Sequence, residues 1–432
     1  MRSYFSRTFY SLANQRFRTL WLGTLFSFLG MQMQVIARGY LAFDLTGKNS
    51  ALGAVMLAFG VPQLLLGLWG GVLADRLPKR NLLVICQAVV ALNSGWLAVM
   101  IELHMVEFWM LIVAGVIQGA GFAFIGPARQ AFIGDLVGRD AIGNAVVLQQ
   151  LSMNSTRVVG PSIAGAFIAI PVIGVGGVYV VTTLGFVIAA VTMLRLPAGN
   201  PKPLAAGAVR QSPLAEMADG VRYVAARPSV ALLILTSFFV VMIGFPYQSF
   251  LPSISKDVYH AGSGGLGALS SVGAVGAVAA NVVVATYAAH RRAWIFQSAI
   301  AIAFGASLLL LGFAPNLASG LAAMVFVGGL ASAFQSLNNS LTMTFTDAEY
   351  QGRVQSISML SWSLFGLVAL PIGIVADSIG IQQTLMPMGA ASMLSVMALQ
   401  FVMRRTTDVE GDRRAQVRIR EAARSVSTGG GQ

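Results

Sequence analysis

Gln150, Asn154 and Arg157 stand at i, i+4 and i+7, a spacing that sets two amides and a guanidinium on one helical face together with Pro161. Such a face has donors and positive charge but no nucleophile and no general base. Its chemistry is recognition of an anionic or electron-rich group, not bond cleavage. Gln34 and Arg38 form a second pair of this kind, and Gln335, Asn338 and Asn339 cluster likewise. Trp362 could stack on a bound ring or serve as a core aromatic. These residues are the candidate substrate-binding set, and each polar group either lines a cavity or ties helices together by hydrogen bonds.

Other chemistries find little support. His104, His260 and His290 fall at loops or helix ends, with no metal-ligand spacing to acids or to Cys86, the single cysteine. No metal and no other cofactor is expected, and Cys86 reads as a small buried apolar residue. Thr46-Gly47-Lys48-Asn49 lacks the upstream glycine and the following hydroxyl of a phosphate-binding loop, so ATP is not the expected energy source. With no Ser/His/Asp grouping, the chain is not read as an enzyme.

The elements that must carry those polar faces are apolar. Of 432 residues, 56% are hydrophobic and only 10% charged, against about 25% charged in soluble domains. The mean hydropathy is +0.74. Apolar runs between polar breaks place twelve spans at roughly 17–43, 51–75, 82–102, 107–130, 141–169, 175–196, 228–254, 264–289, 294–313, 318–344, 352–376 and 382–403. Runs such as Leu64-Leu65-Leu66 lack the alternation of barrel strands, and backbone groups in lipid must pair within their own segment. The expected fold is therefore an all-α membrane protein with twelve transmembrane helices.

Lysines and arginines set the orientation. Arg2, Arg7, Arg16 and Arg18, then Arg76, Lys79 and Arg80, and then every second loop and the tail carry nearly all the basic residues, while the alternate loops keep Lys48 and Lys256. Both termini are expected in the cytoplasm of a multi-pass inner-membrane protein. The net charge of +12 then reflects topology and contact with anionic lipid, and nucleic acid is not an expected partner. The apolar run beginning near Leu20 is too long for a secretory signal and is read as a span that stays. Four units follow: a first six-helix bundle over 1–196, a linker over 197–227, a second bundle over 228–403 and a basic tail over 404–432. Ser212-Pro213 with Glu216, followed by Leu214, Met217, Val221 and Val224 at helical spacing, predicts an amphipathic helix in the linker. A shift of 210 residues sets Gly119 on Gly329, Ala123 on Ala333, Phe124 on Phe334 and Pro161 on Pro371, as an internal repeat would.

Gly71-Val-Leu-Ala-Asp75-Arg76-Leu-Pro78-Lys79-Arg80 follows the second span. It resembles the signature Gly-x-Leu-Ala-Asp-Arg-x-Gly-Arg-Lys of the major facilitator superfamily, with Pro78 where that pattern has glycine. Asn154-Ser-Thr-Arg157-Val-Val-Gly160-Pro161-Ser-Ile-Ala-Gly165 is similar to the Gly-Pro signature of the drug:proton antiporter branches. Pro127-Ala-Arg129-Gln-Ala and Gly352-Arg353-Val354-x-Ser356 narrow the resemblance to the enterobactin-exporter and macrolide-efflux group. The antiporters' fourth-span arginine is here Gly115, which puts their proton relay in doubt.

The resemblance implies two pseudo-symmetric six-helix bundles that alternate between facing inward and outward. It also implies a conformational latch of Gly71, Asp75, Arg76, Lys79 and Arg80 with Arg129 and Arg353, and a helix pivot at Gly160, Pro161 and Gly165. The latch is one-sided, because His290-Arg291-Arg292 in the second half lacks the glycine and the acid. No carboxylate falls in the middle of a span, so an electropositive cavity around Arg157 and Arg38 is expected, suited to an anionic or electron-rich substrate. Proton carriers, if protons drive the cycle, must then sit at span ends: Asp75, Asp135, Asp44 and Asp377. Asp135 and Asp44 read equally well as ordinary helix-end residues. The expected function is export of small amphipathic molecules of drug, macrolide or siderophore type, driven by an ion gradient with H+ as the coupling ion and with no obligate protein partner. An importer or facilitator of an anionic metabolite is the alternative, and a non-transporting membrane scaffold a further one.

Overall fold

The computed structural model describes residues 10–137, 141–199, 213–287, 293–347 and 349–403. The side chains of Gly71, Asp75, Glu216 and Trp362, together with Ser212, the His290-Arg291-Arg292 loop and the tail from 404, lie outside the described residues.

Six long helices come first: α1 (Gln15–Thr46), α2 (Asn49–Arg76), α3 (Lys79–Glu102), α4 (Phe108–Leu136), α5 (Ile142–Ala169) and α6 (Gly174–Leu194). A short α7 (Pro213–Ala225) precedes α8, a span over Pro228–Val258. Then come α9 (Gly262–Tyr287), α10 (Ala293–Phe313), α11 (Leu317–Phe345), α12 (Gln351–Ile379) and α13 (Ile381–Met403). Ten of these are long and apolar enough to cross a membrane, and Leu364–Ile379 within α12 is a shorter apolar helix. The twelfth, α5, carries Gln149, Gln150, Asn154 and Arg157, which lower its hydropathy. The fold is all-α, with twelve spans in two pseudo-symmetric bundles.

Sequence places the seventh span at 228–254, but α8 continues to Val258 and is not a regular α-helix. Turns of π-helix at Val240–Gly244 and Ile254–Val258 flank an α segment at Tyr247–Ser253. Pro246 and Pro252 supply no backbone N–H, and the ladder is re-paired around them by wider bonds such as Phe245 N–H to Val240 O at 3.3 Å and Tyr259 N–H to Ile254 O at 3.1 Å.

Helix pairs repeat between the halves. α2 packs on α4 as α9 packs on α11, and α3 on α6 as α10 on α13. The 210-residue shift corresponds to real packing: a Cβ on Gly119 of α4 would collide with the Phe59 carbonyl of α2, and a Cβ on Gly329 of α11 would lie 3.1 Å from the Gly276 carbonyl of α9. Lipid gives helices no hydrophobic reason to associate, so these close backbone approaches provide much of the adhesion.

The halves meet along α2 with α12 and along α5 with α9. At the first seam Gly366 faces the Met56 carbonyl and Gly373 that of Asn49, where an added Cβ would lie 2.5 Å away in each case. At the second, a Cβ on Gly165 would lie 3.0 Å from Gly267 Cα.

The linker helix α7 is fastened to the second half. Tyr223 stacks on Tyr350 with centroids 4.1 Å apart, Arg227 pairs with Asp347 at 2.6 Å, and Arg353 bonds Asp219. The Asp347 N–H donates to the Tyr223 hydroxyl at 2.9 Å, and burial holds that phenol above its ordinary pKa, keeping it neutral.

Gly119→Ala is expected to destabilise the first bundle by about 1–3 kcal/mol through overpacking. Gly126→Ala on the same helix, where an added Cβ meets nothing within 4 Å, should leave it unchanged. Thermal unfolding in detergent distinguishes the two.

Candidate functional site

Between the halves, α1, α5, α8, α9 and α11 enclose a solvent-connected space of about 920 Å³. Its wall includes Gln32, Val35 and Ile36, then Asn154, Arg157 and Pro161, and Phe245, Tyr247, Gln248, Ser270, Ala277, Met324, Ser332 and Gln335. A smaller, narrow polar compartment adjoins it, walled by Gln150, Arg157, Ser237, Gln335, Asn338, Asn339, Thr342, Gln355 and Ser358. Arg157 and Gln335 belong to both. Neither wall contains Asp or Glu among the described residues.

The polar wall is held in place from behind. Gln297 donates to Asn338 Oδ1 at 2.9 Å, and Asn281 of α9 bonds both Ser332 and Ser336 of α11 at 2.7 Å. Gln150 Nε2 lies 3.4 Å from Asn154 Oδ1, one turn along α5. The small residues Gly273, Ala274 and Ala277 on α9, facing Gly328 and Ala331 on α11, leave the width of the space.

Gln150, Asn154, Arg157, Gln335, Asn338 and Asn339 are therefore brought together, as their spacing predicts. Gln34 and Arg38 are not part of this wall. They are buried within the first bundle, where Gln34 donates to Ser94 Oγ at 2.6 Å and Thr182 Oγ1 at 2.9 Å, accepts from Gln118 at 2.7 Å, and Arg38 donates to Gln118. These bonds tie α1, α3, α4 and α6 together. The polar residue that α1 gives the cavity is Gln32, on a different face of the helix from Gln34 and Arg38, and nothing at helical spacing from it in the sequence marked it out. Tyr247, Gln248 and Gln355 were also missed; Tyr247 and Gln248 stand in an apolar stretch, while Gln355 shares a helical face with Ser358 three residues on, a signal that could have found it.

At the end carrying Asp44 and Asp377, polar contacts cross between the halves. Lys256 pairs with Asp44 at 2.9 Å. Asp377 of α12 accepts from the Asn49 N–H at 2.5 Å and the Ser50 N–H at 3.0 Å. Lys48, which precedes α2, gives that helix no side-chain cap, so the cap is supplied by a carboxylate from the opposite bundle.

At the opposite end, the basic residues expected to form a latch have partners within a bundle or on α7. Buried Lys79 pairs with Asp135 at 2.8 Å and Arg80 donates to the Leu196 carbonyl at 3.4 Å. The guanidinium of buried Arg129 lies 4.4 Å over the Phe28 ring, Arg76 is exposed, and Arg353 bonds Asp219. At the expected pivot, α5 runs unbroken through Pro161, a Cβ on Gly160 would lie 2.6 Å from Gln32 Cβ, and Gly165 occupies the seam with α9.

A polar cavity between two repeated bundles, closed by cross-bundle contacts at one end, is the arrangement of a membrane transporter. Residues 6–429 match the model of the family described as transmembrane secretion effector, and the chain belongs to that family. It is 26% identical over 370 residues to a staphyloferrin A transporter of Staphylococcus aureus, covering 84% of this chain and 90% of that one. It is 22% identical to macrolide efflux protein A of Streptococcus pyogenes, covering 85% and 90%. Among solved structures, a nucleoside transporter superposes with a TM-score of 0.70 at 12% identity, over 90% of this chain and 99% of that chain, a likeness of fold alone.

Two expected outcomes follow from the ends. Asp377→Ala should loosen the cap by about 1 kcal/mol, raising the open population about fivefold. Maleimide labelling of Asn49→Cys, in a Cys86→Ser background, reports it. Asp135→Leu should cost about 3–5 kcal/mol by stranding the buried Lys79 ammonium, and a joint Lys79→Met change should recover most of the loss in a thermal melt.

Proposed function

We propose that this chain exports small amphipathic molecules by alternating access, driven by an ion gradient with H+ as the coupling ion. The observation that carries the reading is the polar cavity between two bundles whose polar cross-contacts gather at one end. The names of the relatives, a staphyloferrin transporter and a macrolide efflux protein, support a secreted small molecule. The bundles 1–196 and 228–403 rock against each other, with 197–227 joining them and 404–432 as a basic tail.

Orientation follows from charge. The basic end faces the cytoplasm, both termini lie there, and the membrane is the inner one. The Asp44 and Asp377 end is then the outer gate, and the described arrangement faces inward. In the outward-facing state Asp75, Arg76, Lys79 and Arg80, with Arg129 and Arg353, re-pair across the inner end, while Gly160, Pro161 and Gly165 let α5 pivot. Proton carriage falls to the span-end acids Asp75, Asp135, Asp44 and Asp377, of which Asp44, Asp135 and Asp377 already hold contacts that protonation would weaken.

Inverted vesicles containing the protein are expected to accumulate a macrolide or a siderophore when a proton gradient is imposed, and to lose the accumulation on adding a protonophore. Accumulation indifferent to the gradient would remove the coupling. The cavity wall, with no Asp or Glu among the described residues, also fits an importer of an anionic metabolite, and uptake confined to right-side-out vesicles would favour that reading.

A further inference from the structure

The two compartments differ in chemistry as well as position. α5 passes Gln150, Arg157 and then Pro161 on its way toward the Asp377 end, while α11 runs the other way from Met324 through Gln335 to Thr342. The larger compartment therefore lies toward the closed end and the smaller toward the basic end, with Arg157 and Gln335 at their junction. The larger is walled chiefly by apolar and small groups, Ile36, Phe245, Leu251 and Met324 among them. The smaller has five amides, three hydroxyls and the Arg157 guanidinium.

We propose that the junction recognises an amphipathic carboxylate carrying a hydrogen-bond donor beside the acid group, with its apolar body in the outer compartment. This deepens the exporter reading and rests on it. A guanidinium binds a carboxylate through charge-assisted hydrogen bonds, which strengthen where surrounding side chains exclude water. A cationic head finds no carboxylate among the described wall residues, whereas amides and hydroxyls can solvate the oxygens of an anionic one. A second observation points to a donor on the ligand. Gln335 Oε1 is buried with no hydrogen-bond partner among the described residues, at the junction itself. A buried acceptor left unsatisfied is costly, and an N–H or O–H on the atom next to the ligand's carboxylate-bearing carbon would satisfy it. An N-acyl or N-sulfonyl amino acid and an α-hydroxy acid share this arrangement.

The test uses the full chain in lipid nanodiscs and three fluorescent probes: dansylglycine, its neutral carboxamide and its N-methyl form, which lacks the donor. Dansylglycine is expected to bind at least about tenfold more tightly than the carboxamide, and several-fold more tightly than the N-methyl acid. Arg157→Gln should bring the acid-to-amide ratio near one, and Arg157→Lys should retain part of it. Ala277→Leu, which narrows the apolar compartment, should weaken both acid and amide while keeping their ratio. Equal affinity of the unaltered protein for acid and amide, or no saturable binding of any probe, would overturn the assignment without reliance on any variant. A ratio unchanged by Arg157→Gln would do the same. Discrimination without accumulation in energised inverted vesicles would leave the assignment standing and defeat the exporter reading, whereas accumulation without discrimination would do the opposite.

Discussion

The structure depends on how closely helix backbones approach where no water drives them together. Along α2 and α12 the approach is set by Gly53, Gly366 and Gly373, and along α5 and α9 by Gly165 and Gly267, so at these points the two halves touch backbone to backbone. Close contact of this kind is short-ranged and geometrically exacting, so a single added methyl group would part the helices. Where it holds, one end is shut. The space that bundle packing cannot fill becomes the cavity, and the same small residues on α9 and α11 determine its width.

Charge is distributed to match. A guanidinium at the midplane is tolerable because it faces a polar, solvent-connected space, while acids are confined to span ends where they cap a helix, as Asp377 does, or pair with lysine, as Asp44 and Asp135 do. The polar network of Gln34, Arg38, Ser94, Gln118 and Thr182 represents a different use of polarity. It ties four helices of one bundle to one another.

Hydropathy and spacing made the twelve spans legible, because lipid penalises every unpaired backbone group and leaves long apolar helices as the solution. The Arg157 face was legible for a similar reason: polar residues at i, i+4 and i+7 share one direction whatever lies opposite. What sequence could not settle was the direction. Gln34 and Arg38 have the same helical logic as Gln150 and Asn154, yet their face turns into a bundle, and only three-dimensional packing separates Gln32 from Gln34. The cross-bundle cap was hidden as well, because Asp377 and Asn49 are separated by 328 residues and the signal is merely a helix start without its own cap. The π turns of α8 were marked by Pro246 and Pro252, but proline indicates an interruption without saying how the ladder is repaired.

The fastening of α7 has a mechanical consequence. Its aromatic stack and ion pairs fix it to the second bundle, while Ala198 and Gly199 are held to the first by the N–H groups of Arg80 and Lys79 at 3.2 Å. The connection between the bundles is thus anchored at both of its described ends, to the first bundle at Gly199 and to the second through α7. Because the two halves belong to one chain, each is held at high local concentration beside the other, and the glycine seams need supply the geometry of contact without the whole of the cohesion.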